Sequence, residues 1–398
     1  MVIRPSSASG IATAVRYAAD NYIDLAVKGG GHSTDTSASS KGGILIDLGA
    51  MNKVTVNTID QTVTAQGGAL WADVNDAAGQ HELAVVGGTA SRTGVGGLTL
   101  RGGYGYLTPQ HGLVIDNLLA ATVVTADGAT RRASARENPN LFWALRGAGQ
   151  NIGVAAELVY RAHPQRGFVW NGTRSYAPAQ LPEVIEALNA SLRHPEGRAA
   201  AQCVFSLTPE TGEPLVSVIL FFNGSEEDGR VHFARLFGIE CVADTMGMKP
   251  YPSANTLLDA LVPPGGRKKL VGVQLPPRIR PEFAAGLLDA VSARLLGERD
   301  LSRSSLAIDF LDHSRVCWTP AAETAFPVRD HSLKGVLILQ WTEPARDEEF
   351  LSWGESIQLV CRDEMRRAGL EPTGFVSSFL AYTSGKLKSY SCYIEGLV

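Results

Sequence analysis

Residues 29–33 read Gly-Gly-Gly-His-Ser, three glycines set directly before an imidazole. A neutral imidazole is a competent nucleophile, and flanking glycines let the backbone run against a ligand so that the ring can reach it. A loop histidine satisfied by its neighbours is the other use of such a residue. Glycine recurs in GGTASRTGVGGLTLRGGYGYLTPQHG (87–112) and in RGAGQNIG (146–153). Of the 42 glycines, 22 fall between Gly29 and Gly153, under a third of the chain, so this region is built around backbone conformation. Loops without side chains expose N–H groups, the chemistry that holds a pyrophosphate, although tight turns in a β-rich domain would use glycine too. Such clustering within one region favours a large, extended ligand. A dinucleotide fingerprint is weak, because Gly103-Tyr104-Gly105 lacks the third glycine and residues 94–103 do not sit between a clear strand and a helix.

The elements that must carry these loops follow from periodicity. Residues 10–21 have helical spacing (Ile11, Val15, Tyr17, Ala18) and lead into strand 25–27. Short strands at 44–48, 53–57 and 62–66, a helix at 69–78, a strand at 121–128 and a helix–glycine turn–strand unit at 141–164 complete an α+β region ending near Pro164–Gly167. A second region follows, dividing the chain into 1–166 and 167–398. It reads as strand 169–176, helix 182–193, a hairpin of 199–208 with 214–223, and helix 227–237. After a long loop come helix 281–296, strands 305–311 and 334–341, and helix 347–368. The expected product is an antiparallel sheet with helices on one face and its other face free to cover something.

Composition narrows the function. At 398 residues, 44% hydrophobic and 19% charged, the chain suits two packed globular domains. A net charge of -4 without a dense Lys/Arg cluster argues against nucleic acid or anionic lipid as partner. Apolar runs such as GVLILQW (335–341) are strand-length, which argues against a membrane span, and the start does not read as a signal peptide. Five widely spaced cysteines (Cys203, Cys241, Cys317, Cys361, Cys392) suggest neither a disulfide framework nor a metal site.

GGGHS, GGILIDL, VGGTASRTGVGGLTLRGGYGYLTPQHGLVIDNL, VVTADG and NLFWALRGAGQNIGVAAEL resemble, in the same order, the FAD-binding domain of the berberine bridge enzyme-like oxidoreductases, flavoproteins of the vanillyl-alcohol oxidase (PCMH) type. The match spans roughly residues 24–165; ETAFPVRDHS (323–332) and KGVLILQW more loosely resemble that family's substrate domain. The resemblance implies FAD held by two α+β subdomains under an antiparallel sheet. It places His32 where the family bonds the flavin 8α-methyl, with Gly29, Gly30, Gly31 and Ser33 along the same loop. Ala90 stands where some members have a second, cysteinyl attachment, so a singly linked flavin is expected. Thr93 falls near flavin C4a, where Val or Leu is usual and access of oxygen is set. Gly88, Thr89, Ser91, Gly94 and Gly97 would contact the phosphates and ribityl chain. Asp116 and the Gly153-Val154 turn would lie near the ring and the adenine end, with a turn or cap as the alternative for Asp116.

Both ends depart from the family pattern: a helix and strand normally precede VIRPSSASGIATAV, and at residues 378–398 Phe379 and Ala381 replace the usual Tyr and Asn. The implied activity is oxidation of a small alcohol, sugar or secondary metabolite by hydride transfer to flavin N5, with molecular oxygen a candidate acceptor. The alternative is a flavin-binding homologue, truncated or misspliced, without turnover. Tyr382 is the candidate base, or else a packed aromatic, and Gln340 a candidate substrate contact, or else a satisfied edge amide. Trp318 is expected to pack, and Arg329 to form an ion pair.

Overall fold

Ser7 accepts a hydrogen bond from the Gly10 amide (3.2 Å) and so starts helix Ala8–Asp20, whose buried face is Ile11, Ala12, Ala14, Val15 and Ala18. That face packs on Ile44 and Ile46 of the middle strand of a three-stranded parallel sheet, Val2–Ile3, Ile44–Asp47 and Leu25–Lys28. The structure, a computed structural model, describes residues 1–34, 38–165 and 167–373, so Tyr382 lies outside the described residues with Phe379 and Ala381. Beside the small sheet stands an antiparallel one in the order Val54–Asn57, Thr62–Gln66, Gly153–Arg161, Leu118–Thr125, Thr130–Ser134. Gly153 and Val154 therefore open a strand, paired with Thr125 and Val124, rather than form a turn.

Among the described residues, those from 168 to 341 build an eight-stranded antiparallel sheet. Its main path runs Ala243–Asp244, Phe168–Tyr176, Pro214–Phe222, Ala199–Leu207, Ser305–Leu311, Leu333–Trp341, Arg267–Leu275, with Gly247–Pro250 also on Phe168–Tyr176. The expected hairpin forms, Ala199 facing Phe222 and Leu207 facing Pro214. Alternate residues go to opposite faces. Leu306, Ile308, Phe310, Leu337 and Leu339 join Val184, Leu288 and Ile357 of helices Leu181–Ser191, Pro281–Gly297 and Asp347–Arg367 in one core. Val204, Ala307, Val336 and Ile338 face the other way, toward Ala90 of the glycine loops. Both faces are thus covered, and Ser305–Leu311 and Leu333–Trp341 are buried at every position.

Strand Arg267–Leu275 corrects the long loop expected before residue 281. It pairs along nine residues with Leu333–Trp341 and is the sheet's edge among the described residues. Its Arg-Lys-Lys start reads as loop, yet charge is what an edge strand tolerates. Helix 227–237 is two helices, Glu226–His232 and Ala234–Phe237, with Phe233 between them at φ −95°, ψ 21°. Trp318 is exposed with Arg315 over its ring instead of packed inside.

The segment around Pro327 is the arm that fastens the large sheet to the glycine loops. Ala322 and Glu323 carbonyls accept from Trp143 Nε1 and Arg146. Phe326 donates its amide to the Arg146 carbonyl and lies against Gly147, which at φ +132° has no space for a Cβ. Arg329 then forms a two-pronged ion pair with Asp116 (2.8 Å each), the side chains 4% and 9% exposed; Asp116 also accepts from the Leu113 amide (2.9 Å). Removing one partner leaves the other charged and buried. Arg329→Met is expected to cost about 3–5 kcal/mol in urea unfolding, and Asp116→Asn added to it should recover part of that loss.

Candidate active site

The loop that leaves strand Leu25–Lys28 is held at its root by Lys28 Nζ on Asp47 (3.1 Å). It then runs against the second glycine loop on bare backbone: a Cβ on Gly30 would stand 2.5 Å from Gly94 N, and one on Gly94 would collide with Gly30 N. The second loop is fixed by helix Trp71–Gly79, where the Trp71 and Ala72 amides donate to the Thr93 and Ser91 carbonyls (3.0 and 2.9 Å). Gly87 and Gly88 lie on the Trp71 indole. In this frame the hydroxyls of Thr89 and Thr93 are buried with no hydrogen-bond partner among the described residues. Such groups cost about 1–3 kcal/mol each unless a ligand satisfies them.

His32 follows, half-buried, and lines a cavity with Ala90. The sheet supplies Gln202, Leu270, Ala307, Asp309, Val336 and Ile338 to the same cavity, and the segment after the 310 turn Tyr251–Thr256 supplies Leu258, Leu261 and Val262. Burial, then the charge of Lys268, push the His32 imidazole below its ordinary value, against Asp259 and a backbone hydrogen bond. The ring is therefore neutral and nucleophilic near pH 7. Thr34 beyond it accepts from the Leu270 amide (3.2 Å), tying the loop to the edge strand.

Across the cavity a polar row crosses the sheet. In register, Gln274 faces Lys334, Lys334 faces Asp309, and Asp309 faces Gln202. The Lys334 ammonium turns to Asp330 Oδ1 (2.9 Å) and the Ser332 carbonyl (2.9 Å). Asp309, 4% exposed, accepts at Oδ1 from Gln202 Nε2 (2.6 Å). Gln202 Oε1 accepts from the Tyr106 hydroxyl (3.3 Å), whose ring stacks on Phe221 (4.9 Å, 12°). Burial pushes the Asp309 carboxyl from 3.8 up to about 7, although the hydrogen bond from Gln202 pulls it down. Neither residue was singled out from the sequence. The available signal was a lone acid in SLAIDFL and a lone amide in AAAQCVFSL.

Of the residues singled out from sequence, His32 joins the position of Ala90 in one cavity. Ser91 donates its amide (3.0 Å) and hydroxyl (2.5 Å) to Asp259, and Asn255 Nδ2 donates to the Gly88 carbonyl. Gly97 is exposed, with open space where a Cβ would stand. Gln340 shares a face with Val336 and Ile338 but does not line the cavity. Its Nε2 donates to the Leu261 and Arg303 carbonyls (2.9 Å each). Asp116 is drawn to Arg329 and Gly153–Val154 to their sheet, as above. Among the described residues no helix is long and apolar enough to cross a membrane.

A family model described as an FAD binding domain matches residues 1–134. The chain is 30% identical over 377 residues to the FAD-linked oxidoreductase pgmH of Aspergillus terreus, covering 92% of this chain and 76% of that protein. It is 35% identical over 258 residues to (R)-6-hydroxynicotine oxidase of Paenarthrobacter nicotinovorans, 63% of this chain and only 55% of that protein. Among solved structures, 6-hydroxy-D-nicotine oxidase from Arthrobacter nicotinovorans superposes with a TM-score of 0.76 at 26% identity, covering 94% of this chain and 81% of the other. BBE-like 1 of Physcomitrella patens gives 0.79 at 18%, covering 91% and 80%, a likeness of fold.

The residues present fit FAD. Two bare-backbone loops can approach phosphates, two buried threonine hydroxyls lack partners among the described residues, and a neutral imidazole stands at the edge of the cavity. Gly94→Ala places a methyl against backbone that cannot yield. It should lower the visible flavin absorbance per purified chain and cost about 1–3 kcal/mol in thermal unfolding, with the far-ultraviolet spectrum unchanged.

Proposed function

Since this chain belongs to the FAD-linked oxidoreductases of the berberine bridge enzyme-like type, we propose that it carries FAD covalently on His32 and oxidises a small, largely apolar alcohol or amine, with Asp309 as the base. The observation that carries the reading is a buried carboxylate of raised pKa in the same cavity as a neutral His32. Bound FAD supplies the two-electron acceptor for a hydride from the substrate carbon. Ionised Asp309 takes the proton from the adjacent hydroxyl or amine, and Gln202 holds the carboxylate through Oδ1. Leu258, Leu261, Leu270, Val336 and Ile338 keep water away and give a sugar's hydroxyls nothing to bond, which favours an aliphatic or aromatic metabolite over an oligosaccharide. A role in secondary metabolism belongs to the same reading. Ala90 leaves a single covalent anchor. Molecular oxygen as final acceptor is supported by the relatives named as oxidases, with Thr93 the nearby residue that would meet it.

The test has three parts. Flavin should stay with acid-precipitated protein, and His32→Ala should release it. Under anaerobic mixing, 1-phenylethanol or 6-hydroxynicotine should bleach the flavin faster than cellobiose, and cellobiose as the best reductant would overturn the substrate class. Asp309→Asn should slow bleaching by the best of these roughly 10²–10⁴-fold with flavin content intact. Because the carboxyl acts only when ionised, the wild-type rate should rise with pH through about 7 and level off above it.

A further inference from the structure

Asp309 is the end of a short hydrogen-bonded chain whose middle member is Gln202. On the neighbouring strand Gln202 stands opposite it in register, and from the glycine loops Tyr106 reaches the other end of the same amide. The ends of an amide are not equivalent. Its oxygen only accepts and its nitrogen only donates. An ionised carboxylate accepts only, so it requires Nε2 toward Oδ1, as found at 2.6 Å. With the amide reversed, Oε1 would face the carboxyl and could be met only by a protonated acid. The reversed amide would also leave the buried Tyr106 hydroxyl proton with no acceptor among the described residues. Tyr106 therefore selects the amide orientation that matches the ionised acid.

We propose that Gln202 and Tyr106 are positioning residues that hold Asp309 in its ionised form, so that the base is set only where the glycine loops dock on the sheet. This rests on Asp309 being the base. Among the described residues, the charged or titratable groups nearby are Lys334 on the far side in register, whose ammonium is turned to Asp330, and His32 across the cavity, with Asp259 acting on His32. Among the described residues, Asp309 Oδ2 accepts from none and is left for substrate.

The experiment is a pH titration of the holoenzyme by difference infrared spectroscopy, reading the protonated-carboxyl band that Asp309→Asn removes. A hydrogen bond to a charged group is worth about 1.5–3 kcal/mol, so Gln202→Leu should raise the midpoint by about one to two pH units. Tyr106→Phe, which keeps the ring on Phe221, should raise it by a smaller amount in the same direction. Adding Tyr106→Phe to Gln202→Leu should raise it no further, because the phenol acts through the amide. If the Gln202 variant does not fold, Tyr106→Phe alone decides. A midpoint unmoved by either substitution overturns the proposal, as does one that falls. The titration reads the carboxyl itself, so it can fail while Asp309→Asn still abolishes turnover, and the converse result would strike the base assignment instead.

Discussion

A sheet covered on both faces has no water to hydrate the polar side chains between its layers, and this constraint governs the large sheet. Its helix side largely solves the problem by being lined with aliphatic and aromatic side chains. The other side does not. Along the row from Gln274 to Gln202, each polar group is given a protein partner, and Asp309 is left with one oxygen committed and its carboxyl drawn up toward neutrality. A carboxyl in that position is destabilising for folding alone. In the same cavity as a neutral imidazole, it is the group that the proposed proton transfer would use.

The other half of the site obeys a different constraint, the closeness of approach between backbones. Gly30 and Gly94 meet with no side chain between them, and Gly147 yields its place to Phe326. The first contact lets two loops form one surface for an extended anion. The second lets the arm from residue 322 to 329 come near enough for Arg329 to reach Asp116. The cofactor surface and the substrate sheet are thus aligned by van der Waals contact at glycine and by one buried ion pair.

What was legible in the sequence was what local composition encodes. The glycine clusters, His32, the hairpin of 199–208 with 214–223 and the helices over the sheet all follow from patterns within about twenty residues. The Asp309–Gln202–Tyr106 chain joins residues 107 and 96 positions apart, and the register that brings them together appears in no local pattern. Strand Arg267–Leu275 was hidden by its cationic start. For Gln340 the period-two reading gave the correct face, but the destination of its amide depended on where residues 257–262 return, which periodicity cannot supply. Asp116 shows the same limit from the other side: its local cap was foreseeable, its arginine 213 positions away was not.

The strap formed by residues 255–262 is bonded to Gly88 and Ser91 on one side and to Gln340 on the other, while Leu258, Leu261 and Val262 wall the cavity. In the proposed function, one short segment would therefore carry both the fit of the substrate and the bracing of the second glycine loop. Divergence toward a new substrate through this segment cannot be incremental. A replacement that reshapes the wall also perturbs the seat of the prosthetic group, so selection has to act on compensated sets of substitutions, and relatives with different specificities should differ here in blocks rather than at single positions.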